Sequence, residues 1–90
     1  MNKLETAREI INTCDKELIE TFKKRMAAAK MVAEYKKENN LPILDQKRED
    51  AIIEKNVKLL NDESLEDYYL EFFKSMLKVS KEYQKKLNED

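Results

Sequence analysis

From Leu4 to about Lys37 the chain offers nothing that would stop a helix. No proline interrupts the stretch, and the whole 90-residue sequence contains no glycine and a single proline, Pro42. Strands and tight turns usually depend on glycine, Asn-Gly or proline at their corners, so the chain is expected to be all-α with very few loops. Within the stretch, apolar side chains recur at Leu4, Ala7, Ile11, Cys14, Leu18, Phe22, Ala28, Ala29, Val32 and Tyr35. That three-and-four spacing lays one apolar stripe along a helix of about 4–37.

The segment E-N-N-L-P-I-L-D, 38–45, ends this helix, because Pro42 bars its predecessor from helical geometry. Asp45 is suited to cap a second helix over about 46–60, which carries Ala51, Ile52, Ile53, Val57, Leu59 and Leu60. N-D-E-S at 61–64 breaks the pattern again, and Ser64 with Asp67 has the spacing of a capping box that opens a third helix over about 65–87. Leu65, Tyr69, Phe72, Phe73, Met76, Leu77, Val79, Tyr83 and Leu87 line it. Residues 1–90 are expected to form one domain.

The first helix is too long for such a domain. About 34 residues span roughly 50 Å, whereas a compact monomer of this length is only about 25–30 Å across. Two shorter helices cannot cover the whole stripe, so the expected architecture is an intertwined homodimeric six-helix bundle with the two long helices packed along each other. The alternative is an elongated monomer with a frayed end.

At 41% hydrophobic the chain is able to form a core, which argues against wholesale disorder. A net charge of -1 gives no long-range attraction to nucleic acid or to an anionic membrane. With no histidine, and Cys14 alone, neither an internal disulfide nor a zinc cluster is expected, and no cofactor is implied. The N-terminus lacks an apolar leader and no 18-residue apolar run occurs, so a cytoplasmic protein is expected.

The polar residues on the apolar stripes carry the functional signal. Stepping by three and four from Leu4 gives Arg8, Ile11, Asp15, Leu18, Phe22, Arg25, Ala29, Val32 and Lys36, so three cations fall on the side expected to be buried. Arg48 and Glu49 stand in the first turn of the second helix, and Ser80 and Gln84 are one turn apart on the third. A single such cation is ordinarily a snorkelling side chain with its head in water. Several of them, with Asp15 and Glu49 as the main acids on the same faces, leave positive charge uncompensated, at a cost of several kcal/mol per buried ion. A small polyanion rich in carboxylate or phosphate would relieve it. Arg25 and Lys36 are about 16 Å apart along the axis and can converge on one ligand, while Arg8, roughly 25 Å from Arg25, is too far to share it within a subunit and, if it belongs to such a site, is expected to reach that of a partner chain.

These residues stand in motifs that run through nearly the whole chain: L-x-x-x-R-x-x-I at Leu4–Ile11, D-x-x-L-I at Asp15–Ile19, R-M-A-A-A-K-x-V-A-x-Y-K at Arg25–Lys36, P-I-L-D-x-x-R-E at Pro42–Glu49, and S-x-x-x-Q at Ser80–Gln84. In this order and at helical spacing, the chain resembles the all-helical chorismate mutases. The resemblance implies a monofunctional isomerase of the shikimate pathway and aromatic amino acid biosynthesis, a homodimer of three-helix chains that takes chorismate to prephenate. It implies that Arg25 and the other subunit's Arg8 grip carboxylates, and that Lys36 touches a carboxylate and the ether oxygen. Gln84 would donate to that same oxygen, and Glu49 would accept from the ring hydroxyl. Arg48 and Ser80 would complete the electrostatics around the carboxylates, and Asp45 would position the start of the second helix. Cys14 and Asp15 are expected to be core and structural. A unimolecular pericyclic shift transfers no proton and needs no nucleophile, which suits a chain without histidine. Two other readings stay open on sequence: an isochorismate pyruvate lyase of the same fold, and a non-catalytic helical adaptor whose charges set pairing register.

Overall fold

Asn2 opens the first helix by taking the backbone N–H of Glu5 onto its side-chain oxygen at 2.8 Å, while its amide nitrogen donates to the Glu5 carboxylate at 3.3 Å. The structure, a computed structural model, describes residues 2–89; Met1 and Asp90, the two ends of the expected 1–90 domain, lie outside the described residues. Among these, three helices and no strands are present: α1 Lys3–Glu38, α2 Gln46–Leu60 and α3 Glu66–Leu87.

In a chain without glycine, asparagine supplies the left-handed corners. Asn40 has φ 55° and Asn61 φ 48°, values that cost asparagine less than other side chains. At the end of α1 the N–H of Leu41 reaches back to the Lys36 carbonyl at 2.8 Å and that of Asn40 to the Lys37 carbonyl at 3.3 Å. This paired closure reverses the chain just past Glu38, and Pro42 stops α1 from resuming. At the start of α2 the Asp45 carboxylate accepts from the Arg48 N–H at 3.1 Å, the cap expected there.

The expected Ser64 cap of α3 is corrected. Leu65 occupies the N-cap position and makes no side-chain cap bond. Ser64 instead turns backward, its N–H and hydroxyl both donating to Asp62 Oδ1 at 3.0 and 2.6 Å. An aspartate two residues upstream offers a charged acceptor within the same turn, and it outcompetes the distant helix N–H groups for the serine.

α3 packs against both α1 and α2, whereas the backbones of α1 and α2 do not approach each other. A trough is therefore left between α1 and α2 with α3 as its floor. The α1–α3 contact rests on small side chains: Ala33 is 0% exposed, Ala29 is buried, and Phe73 of α3 is buried with them. Phe73 stacks on Tyr69 at 5.5 Å between ring centroids. Asn88, past the end of α3, donates to the Ala33 carbonyl at 3.0 Å and ties the two helices at that end. Leucine at position 33 would overfill this contact, so Ala33→Leu is expected to cost about 1–3 kcal/mol. A lower urea midpoint at fixed protein concentration would register it.

The N-terminal half of α1 extends past this packing. Leu4, Ile11, Leu18 and Phe22, the stripe expected to be buried, are all about half exposed on the single chain. Arg8 is exposed with them, as is Cys14, which therefore does not sit in a core within one chain. Leu4, Arg8, Ile11 and Cys14 lie beyond the reach of α2 and α3, while Leu18 and Phe22 face α3 only across an open hollow. The chain measures 55 × 26 × 15 Å with a radius of gyration of 16.4 Å, against about 12 Å for a compact chain of this length. Its accessible surface is 7670 Å², where a compact monomer of this mass would expose about 5,500 Å².

Candidate functional site

The trough holds a cavity of about 420 Å³. α1 contributes Arg25, Ala28, Ala29, Val32 and Lys36 to its lining, at the three-and-four spacing that keeps them on one face. Ile43 and Asp45 come from the connection, Arg48, Glu49, Ile52, Lys55 and Asn56 from α2, and Leu77, Ser80, Lys81 and Gln84 from α3. Of the residues singled out in sequence, Arg25, Lys36, Asp45, Arg48, Glu49, Ser80 and Gln84 meet here, and Arg8 does not.

Each polar side chain is held by something identifiable. The Arg25 guanidinium lies 6.0 Å from the centre of the buried Phe73 ring, a cation–π contact that keeps its stem against the core. Lys36 donates from Nζ to the Ile43 carbonyl at 2.7 Å, so the ammonium is steadied by the very loop that its own backbone carbonyl helps to turn. The carboxylate of Asp45 is engaged at the N-terminus of α2, which directs Arg48 and Glu49 from the first turn toward the trough.

Gln84 is a buried polar side chain at 9% exposure. Its Nε2 donates to Ser80 Oγ at 3.3 Å, and its Oε1 is buried without a partner. Turning the amide over exchanges the roles: the serine hydroxyl then donates to Oε1 and the two Nε2 protons are free to donate to a ligand. Burial of an unpaired amide atom costs about 1–3 kcal/mol, which a hydrogen-bonding ligand in the cavity would recover.

The lining is strongly cationic. Arg25, Lys36, Arg48, Lys55 and Lys81 face Asp45 and Glu49, five positive groups to two negative, or +3. Ala28, Ala29, Val32, Ile43, Ile52 and Leu77 provide apolar walls between the charges. Apolar surface beside the charges strengthens each electrostatic contact with a bound anion. The lining contains no histidine, cysteine or metal-binding cluster, and no group of carboxylate, histidine or cysteine side chains able to hold a metal occurs among the described residues.

Sequence reading did not single out Lys55, Asn56 and Lys81. Lys81 is the informative omission, because its Nζ meets Glu49 Oε1 at 2.9 Å across the α2–α3 boundary. Its position one residue after Ser80 and three before Gln84, at the edge of the same stripe, was the available signal.

A second cavity of about 700 Å³ lies along the overhanging part of α1, between Leu18, Phe22 and Arg25 on one side and Tyr69, Phe72, Phe73, Met76 and Val79 on the other. Arg25 lines both hollows and so stands at the boundary between them. No helix among the described residues is long and apolar enough to cross a membrane.

Comparison with curated proteins and with solved structures finds no significant match. The sequence does match a protein family, described as chorismate mutase type II, over residues 7–85. That span begins within α1 and ends one residue beyond Gln84, so it covers most of α1 and α3, all of α2 and every polar residue of the cavity lining. The chain belongs to the chorismate mutase type II family.

Proposed function

We propose that the chain is a chorismate mutase, converting chorismate to prephenate as an intertwined homodimer in which the partner subunit's Arg8 closes each cavity. The observation that carries the reading is the cavity's +3 charge set between apolar walls, with an unsatisfied buried amide at Gln84. Chorismate is a dianion with a ring hydroxyl and an enol ether. It would offset two of the three net positive charges and give the amide a partner.

The reaction breaks the ether C–O bond while a C–C bond forms, within one molecule and without proton transfer. The protein's work is to hold the compact, chair-like conformer and to stabilise negative charge growing on the ether oxygen. Arg25, Arg48 and the partner subunit's Arg8 take the carboxylates, and Ser80 adds a hydroxyl beside them. Lys36 shifts from the Ile43 carbonyl to share its protons between a carboxylate and the ether oxygen. The Gln84 amide, turned with Nε2 inward, donates to the same oxygen. Glu49 accepts from the ring hydroxyl. Donors aimed at the ether oxygen act more strongly in the transition state than in the ground state, which is what raises turnover. A millionfold acceleration requires about 8 kcal/mol, comparable to three or four charge-assisted hydrogen bonds in a dry site.

The dimer rests on area. The single chain exposes about 2,000 Å² more than a compact protein of its mass, an excess of the size that obligate dimers bury. Leu4, Ile11, Leu18 and Phe22 on the apolar stripe of α1, with Phe72 and Val79 at the second cavity, are among the large apolar side chains left exposed. Offering chorismate and isochorismate separately tests the activity. Prephenate from chorismate is the expected product; salicylate and pyruvate from isochorismate, with chorismate untouched, would overturn the assignment in favour of a lyase.

A further inference from the structure

Lys81 and Glu49 form an ion pair that differs in kind from four others among the described residues. Lys23–Glu20, Lys58–Glu54, Lys78–Glu82 and Lys86–Glu89 are all three or four residues apart and exposed. Lys81–Glu49 joins two helices at 2.9 Å, with side chains only 29% and 17% exposed, and both residues line the cationic cavity. Exposed local pairs of the first kind contribute little. A sheltered pair between helices fixes the geometry of both groups.

The pair removes an electrostatic conflict. A lone Glu49 carboxylate on the wall would repel a dianion bound beside it. The Lys81 ammonium cancels that charge at its source. It also takes Oε1, and Oε2 of the same carboxylate retains lone pairs for a hydroxyl donor. Glu49 thereby accepts a hydrogen bond without adding a net negative charge to the wall.

We infer that Lys81 is a positioning residue for Glu49, making it a charge-balanced hydroxyl acceptor that suits the cavity to ligands carrying two carboxylates and a hydroxyl. The inference rests on the mutase reading above and extends it to a residue outside the set recognised in sequence.

Steady-state kinetics on chorismate for the parent, Lys81→Met, Glu49→Gln, the double variant and Lys81→Arg test it. Repulsion and misplacement act on the ground and transition states alike, so Lys81→Met should raise KM by about tenfold with kcat nearly unchanged. Lys81→Arg should return KM to within about threefold of the parent. With Glu49→Gln already present, Lys81→Met should change KM by less than about twofold, because no carboxylate remains to be balanced. A tenfold effect of similar size with and without Glu49 would overturn the proposal, since Lys81 would then act on substrate independently of Glu49. An unchanged KM for Lys81→Met would overturn it equally. Should Lys81→Met lose its helical circular dichroism, Lys81→Gln takes its place with the same expectation. A parent chain that leaves chorismate unconverted refutes the mutase reading itself, whereas an active parent with additive variants refutes only the role of Lys81.

Discussion

Lys36→Ala is expected to lower kcat/KM for chorismate by about three orders of magnitude while leaving helicity and subunit assembly unchanged. The size follows from what the ammonium is placed to do. Removing a single preorganised donor to a developing oxyanion costs about a hundred- to a thousandfold in turnover, and Lys36 would also surrender a carboxylate contact. Its structural contribution is small by comparison. The bond from Nζ to the Ile43 carbonyl is worth about 1 kcal/mol net, and the chain reversal after α1 is closed by backbone bonds that alanine retains. Chorismate consumption followed by absorbance, with sedimentation of the same sample, separates the two effects. If Lys36 instead served to set helix pairing, as in a structural adaptor, sedimentation would change and any activity of the parent would survive in whatever dimer remained.

Mixing two inactive variants is expected to restore activity. On the proposed shared site, Arg8→Ala and Arg25→Ala should each be nearly inactive alone, since the first would lack the carboxylate ligand lent to a partner and the second its own. A heterodimer of the two contains one cavity with intact Arg25 and an intact Arg8 from the other chain, and one cavity missing both. Equal mixing with free exchange makes half the dimers mixed, so about a quarter of the parental specific activity should return. The geometry behind this is simple. Arg8 and Arg25 are seventeen residues apart on one uninterrupted helix, about 25 Å along its axis, and Arg8 is absent from the cavity of its own chain. Confirmed subunit exchange without recovered turnover would show that the cavity is complete within one chain.

The three-helix architecture was legible because its punctuation is local. An unbroken three-and-four spacing, Pro42 after Asn39 and Asn40, and Asp45 before α2 each act within a few residues, and the helices lie where those signals stand. Ser64 misled for a reason equally local but harder to weigh: two acceptor patterns compete in one short turn, and Asp62 at two residues' distance won. The exposure of Cys14 and of the Leu4–Phe22 stripe could not be read from spacing, which reports which side chains share a face but not whether anything covers it.

At the candidate site the same boundary appears. Which cations share a stripe on α1, and which polar residues stand one turn apart on α3, follow from helical periodicity and were available in the sequence. That α1 and α2 stand apart on a floor of α3, leaving room for a small ligand between Lys36, Arg48 and Gln84, was decided only when the helices packed. So was the meeting of Lys81 with Glu49, thirty-two positions away in the chain. Periodicity acts over one or two turns and is written in adjacent residues. The partner of a charge on another helix depends on the angle and separation at which the small residues Ala29 and Ala33 let α1 settle against Phe73, a property of the assembled volume that no local pattern carries.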